Sequence, residues 1–89
     1  MKESAIERRF VERVKQLGGF SYKWVSPGRA GVPDRIVVLP GGRVLFVELK
    51  REGGVLKPLQ AHELARLQAL GCTAVVAYGL EEALEVLGC

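Results

Sequence analysis

Two short apolar runs, Ile36-Val37-Val38-Leu39 and Val44-Leu45-Phe46-Val47, lie on either side of Pro40-Gly41-Gly42. β-Branched residues suit pleated strands, and glycines after a proline supply the positive φ of a tight turn, so the stretch predicts a β-hairpin. Charges sit at its open end. Asp34, the chain's only aspartate, precedes the first run, and Glu48 and Lys50 close the second.

The turn length decides what those charges do. If Pro40 to Gly42 form the loop, Leu39 pairs with Arg43, and stepping outward brings Asp34 opposite Glu48 on one face of the ribbon. Lys50, two residues beyond Glu48, points to that face as well. A two-residue loop would turn the carboxylates to opposite faces. Two carboxylates facing each other across a strand pair repel unless something positive stands between them, and oxygen ligands suit a hard divalent cation such as Mg²⁺. A plain salt-bridge cluster, with Lys50 neutralising both acids, fits the same spacing.

The length of 89 residues predicts a single domain over 1–89, small enough that oligomerisation is a plausible support. With 48% hydrophobic and 26% charged residues the composition is that of a folded soluble protein. No run is long enough to span a bilayer and Met1-Lys2-Glu3 opens no signal peptide, so the expectation is a cytoplasmic protein with no membrane partner. Cys72 and Cys89 form no C-x-x-C pair and stand with one histidine, so neither a zinc knuckle nor a disulfide framework is indicated. A buried Cys72 and a frayed Cys89 are expected. The net charge of +3 is unevenly spread: twelve bases and six acids lie up to Lys57, and Arg66 alone faces four glutamates beyond it. The basic part is also the part with the hairpin, which suits a polyanion such as nucleic acid.

Ser4-Ala5-Ile6-Glu7 matches a capping box, and Ile6, Phe10, Val14 and Leu17 recur at helical spacing until Gly18-Gly19, predicting a first helix of about four turns. Glu7 has two readings: its carboxylate satisfies the Ser4 backbone N–H, or it aims at the hairpin site. Phe20-Ser21-Tyr22-Lys23-Trp24-Val25 alternates and predicts a half-buried strand, with Phe20 and Tyr22 in the core and Trp24 unassigned. Ser26 to Pro33, with two prolines and two glycines, predicts a loop that delivers the chain to Asp34; there Arg29 either meets a phosphate or is simply exposed. Pro58 opens a helix that runs to about Leu70 on Leu59, Leu64, Leu67 and Leu70, with Gln60 and His62 read as exposed. Thr73 to Tyr78 predicts a strand covered on both faces, interior to the sheet and parallel to the Val44–Lys50 strand, and Leu80 to Leu87 a short last helix.

Gly31-Val32-Pro33-Asp34-Arg35 followed by Val47-Glu48-Leu49-Lys50 resembles the PD-(D/E)XK nuclease signature. With Ile6-Glu7, Lys23-Trp24, Ser26-Pro27-Gly28 and Pro58-Leu59-Gln60 in order, the chain is similar to the VRR-NUC family, in particular its short stand-alone, phage-type members. The resemblance implies an α/β fold, an α-β-β-β-α-β-α restriction-endonuclease-like core with a mixed sheet and flanking helices. It implies catalytic roles for Glu7, Asp34, Glu48, Lys50 and Gln60, and a Mg²⁺ or Mn²⁺ held by Asp34, Glu48 and the Leu49 carbonyl, with Glu7 acting directly or through water. It further implies a homodimer acting on Holliday junctions or related branched DNA, with no small-molecule cofactor.

The expected function is therefore a metal-dependent endonuclease hydrolysing DNA phosphodiesters, selective for four-way junctions or flaps. Arg8, Lys23, Arg29, Arg35 and Arg51 would bind the nucleic-acid backbone, with Lys57 on the rim. The competing expectation is a non-catalytic nucleic-acid-binding subunit that keeps the nuclease fold. A third reading is a structural interaction domain whose hairpin charges are only a salt-bridge cluster.

Overall fold

The structure, a computed structural model, describes residues 1–88. It contains α1 (Glu3–Gln16), β1 (Phe20–Lys23), β2 (Arg35–Leu39), β3 (Arg43–Lys50), α2 (Pro58–Ala69), β4 (Thr73–Tyr78) and α3 (Gly79–Glu85). The strands form one mixed sheet in the order β1-β2-β3-β4, antiparallel except for the parallel β3–β4 pair. The sheet follows from the sequence: a hairpin needs only a tight turn, whereas the parallel partner needs the long crossover that α2 provides.

Leu39 pairs with Arg43, so the hairpin loop is Pro40-Gly41-Gly42, and both glycines have positive φ (84° and 76°). This register puts Val37, Leu39, Leu45, Val47 and Leu49 on one face, where Ile6, Phe10 and Val14 of α1 and Ala83 and Leu87 complete the core. Phe10 is fully buried, and truncation to alanine there would cost about 3–5 kcal/mol. Ile36, Val38, Val44, Phe46, Glu48 and Lys50 point to the opposite face.

That opposite face departs from the sequence-based expectation. Phe20 and Tyr22 are 66% and 57% exposed rather than core. The reason is the placement of α2, which packs on β4 and leaves the outer face of β1 uncovered. Phe20 and Tyr22 stack on each other with centroids 6.3 Å apart, while Trp24 packs against Phe46 at 5.5 Å. Along α2 Leu64 is buried, but Leu59 and, at the C-cap, Leu70 are exposed. β4 is parallel to β3 as expected, yet it is the edge strand and not an interior one. Its continuous apolar run reflects helices on both of its faces, since α2 and α3 both pack on it.

The start of α1 also differs. The helix starts at Glu3 with Lys2 as its cap and no side-chain capping bond, so Ser4 lies inside the first turn and the expected capping box does not form. Cys72 is a free, half-buried thiol rather than a buried one, and Cys89 lies outside the described residues. No helix among the described residues is long and apolar enough to cross a membrane.

Candidate active site

The last ladder pair of the hairpin is Arg35 with Val47, and one further step outward sets Asp34 against Glu48. Asp34 Oδ2 accepts a hydrogen bond from the Leu49 N–H at 3.0 Å, which fixes the aspartate at the end of β3 after regular pairing has stopped. Glu48 is buried, with 2% of its surface exposed. Its Oε2 accepts from Gln60 Nε2 at 3.1 Å and lies 3.5 Å from Lys50 Nζ. Its Oε1 is buried with no hydrogen-bond partner. Burying half of a carboxylate without a partner is costly, and such atoms are rare in folded proteins.

The electrostatics follow from this placement. Burial pushes the Glu48 carboxyl up to about 7, the negative charge of Asp34 pushes in the same direction, and Lys50 opposes both. Glu3, at the start of α1, adds a smaller negative contribution. The helix-borne acid that the sequence singled out, Glu7, is engaged elsewhere: its Oε2 accepts from Arg35 Nε at 2.9 Å. Glu3 lies four residues before Glu7, on the same helical face, and that spacing was the only available sign of it.

The other candidate residues are placed as follows. Gln60, read from composition as an exposed residue, reaches Glu48, and its Oε1 accepts from the Lys57 backbone N–H at 2.9 Å. Arg8, Lys23 and Arg51 are exposed, and Arg51 donates to the Glu52 carbonyl. Arg35 is largely buried against Glu7. Arg29 binds Glu63 Oε1 at 2.6 Å, and Arg66 approaches the same oxygen at 3.3 Å. Sequence reasoning missed Glu63, a buried carboxylate on α2 whose partner lies 34 residues away in the chain. Nothing local marks a glutamate in an otherwise ordinary helix as buried. Burial raises its carboxyl, but the hydrogen bond and charge of Arg29, then Arg66, outweigh that and hold it below the usual carboxylate range.

The donor set is suited to a hard cation. Among the described residues no three His, Cys, Asp or Glu side chains gather around one point. Mg²⁺ needs no such cage, being commonly held by one or two carboxylates, with waters and substrate phosphate completing the shell. Asp34, the unpartnered Glu48 Oε1 and the main chain of Leu49 are the groups that could contribute to such a shell.

A four-stranded mixed sheet flanked by helices, with an aspartate facing a Glu-x-Lys strand end, defines the PD-(D/E)XK class of fold and site. Within that class the chain belongs to the VRR-NUC family: the profile of the VRR-NUC domain matches residues 2–81. Protein p44 of Acyrthosiphon pisum secondary endosymbiont phage 1, whose name assigns it provisionally to the nucleases, is 50% identical over 76 residues, covering 85% of this chain and 82% of that protein. A solved VRR_NUC domain superposes with a TM-score of 0.90 at 32% identity, covering 98% of this chain and 95% of that one. A second, a VRR_NUC domain protein, gives 0.79 at 21% identity, covering 98% and 85%, and speaks for the fold alone. Family and phage relative together support a nuclease.

Proposed function

We propose that the protein is a metal-dependent DNA endonuclease, acting as a homodimer and selecting branched DNA such as four-way junctions or flaps. The observation that carries this reading is the Glu48 carboxylate: buried, set against Asp34, 3.5 Å from Lys50, and left with one oxygen unpartnered. A binding-only surface gains nothing from carboxylates aimed at phosphate.

Phosphodiesters resist attack because their own negative charge repels nucleophiles. A bound Mg²⁺ or Mn²⁺ would offset that charge and lower the pKa of a coordinated water. The chain's own residues do the rest. Asp34 and Glu48 would supply the ligand oxygens, joined by the carbonyl of Leu49, and Gln60 holds Glu48 through a hydrogen bond to Oε2. Lys50, with its side chain only 11% exposed, presents an ammonium to the same point, placed to orient the attacking water and to offset charge on the scissile phosphate. Arg8, Lys23 and Arg51 offer exposed cations for the backbone on either side.

The homodimer is supported by the uncovered sheet face, on which Phe20, Tyr22 and Val44 lie exposed together. Apolar surface of this kind is the usual mark of an interface. A second copy would bring two sites to a substrate that has two strands to cut.

The test presents labelled four-way junctions, flaps and plain duplex with Mg²⁺, Mn²⁺ or chelator. The expected result is metal-dependent cutting of branched DNA above duplex. DNA binding without cutting under any metal would instead establish the binding-subunit reading, and neither binding nor cutting would leave a structural domain.

A further inference from the structure

Asp34 comes from a segment with no regular structure. Between Lys23 and Arg35 there is neither strand nor helix, so contacts outside regular pairing fix where the aspartate stands. The Leu49 N–H holds its carboxylate at 3.0 Å. Two further bonds hold the backbone of the segment: the Trp24 N–H donates to the Asp34 carbonyl at 3.0 Å, and the Arg29 N–H to the Ser26 carbonyl at 3.2 Å. Two others run to α2. The Gly31 backbone lies so close to this helix that a Cβ there would stand 2.5 Å from the Leu59 carbonyl oxygen. Arg29 Nε donates to Glu63 Oε1 at 2.6 Å.

Leu59 and Glu63 are one helical turn apart and so share a face of α2, the face that the loop lies on. Gln60, the next position round, bonds Glu48. A single helix thus holds both halves of the site, one through the loop and one through the glutamate itself. Glu63 is buried and keeps Arg66 at 3.3 Å as a second partner, so its charge stays compensated and the carboxylate stays in place as an acceptor for Arg29. The ion pair is also charge-assisted and short, and among the hydrogen bonds of this loop it is the one that reaches α2.

We propose that Glu63, acting through Arg29, is the positioning residue that clamps the loop to α2 and holds Asp34 opposite Glu48. Arg29 serves first as the loop's anchor rather than as a phosphate ligand. The inference rests on the reading of Asp34 and Glu48 as the reactive pair, but its test needs neither metal nor DNA.

The Leu49 and Trp24 amides both report on Asp34, since one bonds its carboxylate and the other its carbonyl. Hydrogen exchange at these two amides is compared by NMR with Val37 and Leu45 in the central strands, in metal-free protein. Arg29→Ala, at a half-exposed position that should not prevent folding, is expected to speed exchange at Leu49 and Trp24 by about tenfold and leave Val37 and Leu45 unchanged. Glu63→Ala is expected to do the same, the double variant no more than either single one, and Glu63→Gln, which keeps an acceptor for Arg29, distinctly less. Unchanged exchange at Leu49 and Trp24 in Arg29→Ala would overturn the clamp. So would equal acceleration at Val37 and Leu45, the sign of general destabilisation. Were Arg29 a phosphate ligand instead, Arg29→Ala would raise the KM for DNA and leave exchange alone, and Glu63→Ala would move neither. A wild-type protein that cuts no DNA leaves the exchange result standing, so the clamp and the nuclease reading fail separately.

Discussion

Gln60 bridges the start of α2 and Glu48: its Oε1 accepts from the Lys57 N–H at 2.9 Å and its Nε2 donates to Glu48 Oε2 at 3.1 Å. Because the backbone donor claims the oxygen end of the amide, only the NH₂ end is left to face the carboxylate. The glutamine therefore fixes one oxygen of Glu48 and leaves the other, buried, without a hydrogen-bond partner. Gln60→Ala is expected to lower cleavage about 10- to 100-fold, as for other groups that orient a metal-binding side chain. Gln60→Glu should be worse, because it puts a further negative charge beside Glu48. Steady-state cleavage at saturating Mn²⁺ measures both.

Glu48 makes stability depend on pH in an unusual direction. Its carboxyl is raised to about 7 in the folded state, from an ordinary value of 4.5, so the folded chain binds the extra proton between those pH values. Without divalent metal, stability should therefore fall as pH rises from about 4.5 to about 7, by an amount on the order of 3 kcal/mol from this group. Urea denaturation in chelator across that range should show the decline, and Glu48→Gln, which has no carboxyl to titrate there, should flatten it.

Lys50 lies at the end of β3, with its side chain 11% exposed and its ammonium 3.5 Å from the Glu48 carboxylate. Lys50→Ala should reduce cleavage by about 10²- to 10⁴-fold, the usual weight of a positioned proton-transfer or charge-stabilising group. Lys50→Arg should not restore it, since a planar fork cannot replace a compact ammonium in so enclosed a place. Single-turnover cleavage with DNA bound to excess protein separates this loss from any change in binding.

The stacked Phe20 and Tyr22 predict an assembly effect. Placing a charge there, as in Phe20→Glu/Tyr22→Glu, should convert a dimer to monomer in sedimentation velocity while leaving the circular dichroism spectrum unchanged. A wild-type protein that sediments as a monomer at micromolar concentration would remove the basis for pairing two sites on one junction.

The hairpin and the acid-acid-lysine geometry could be read from the sequence because they depend on period-two alternation and a loop length, both local quantities. The Leu39–Arg43 pairing follows from three residues, and the facing of Asp34 and Glu48 follows from that pairing. Exposure could not be read in the same way. Phe20 and Tyr22 have the pattern of core residues, and only the position of α2, set by packing on β4, leaves them uncovered. For β4 the apolar run reports coverage of its faces and says nothing about its edges, so an edge strand looked interior. Glu7 and Glu63 were obscure for a related reason: the partner of each, Arg35 and Arg29, lies about 30 residues away and becomes a neighbour only in the folded chain.

The claim on which the rest depends is that Asp34 and Glu48 share a divalent cation. Calorimetric titration of the DNA-free protein with Mn²⁺ at pH 8, where Glu48 is ionised, tests it directly. The account predicts saturable binding by the wild type and a loss of at least about 100-fold in affinity in both Asp34→Asn and Glu48→Gln, each of which removes a charged ligand. Equal binding by wild type and both variants, or none by the folded wild type, would contradict it.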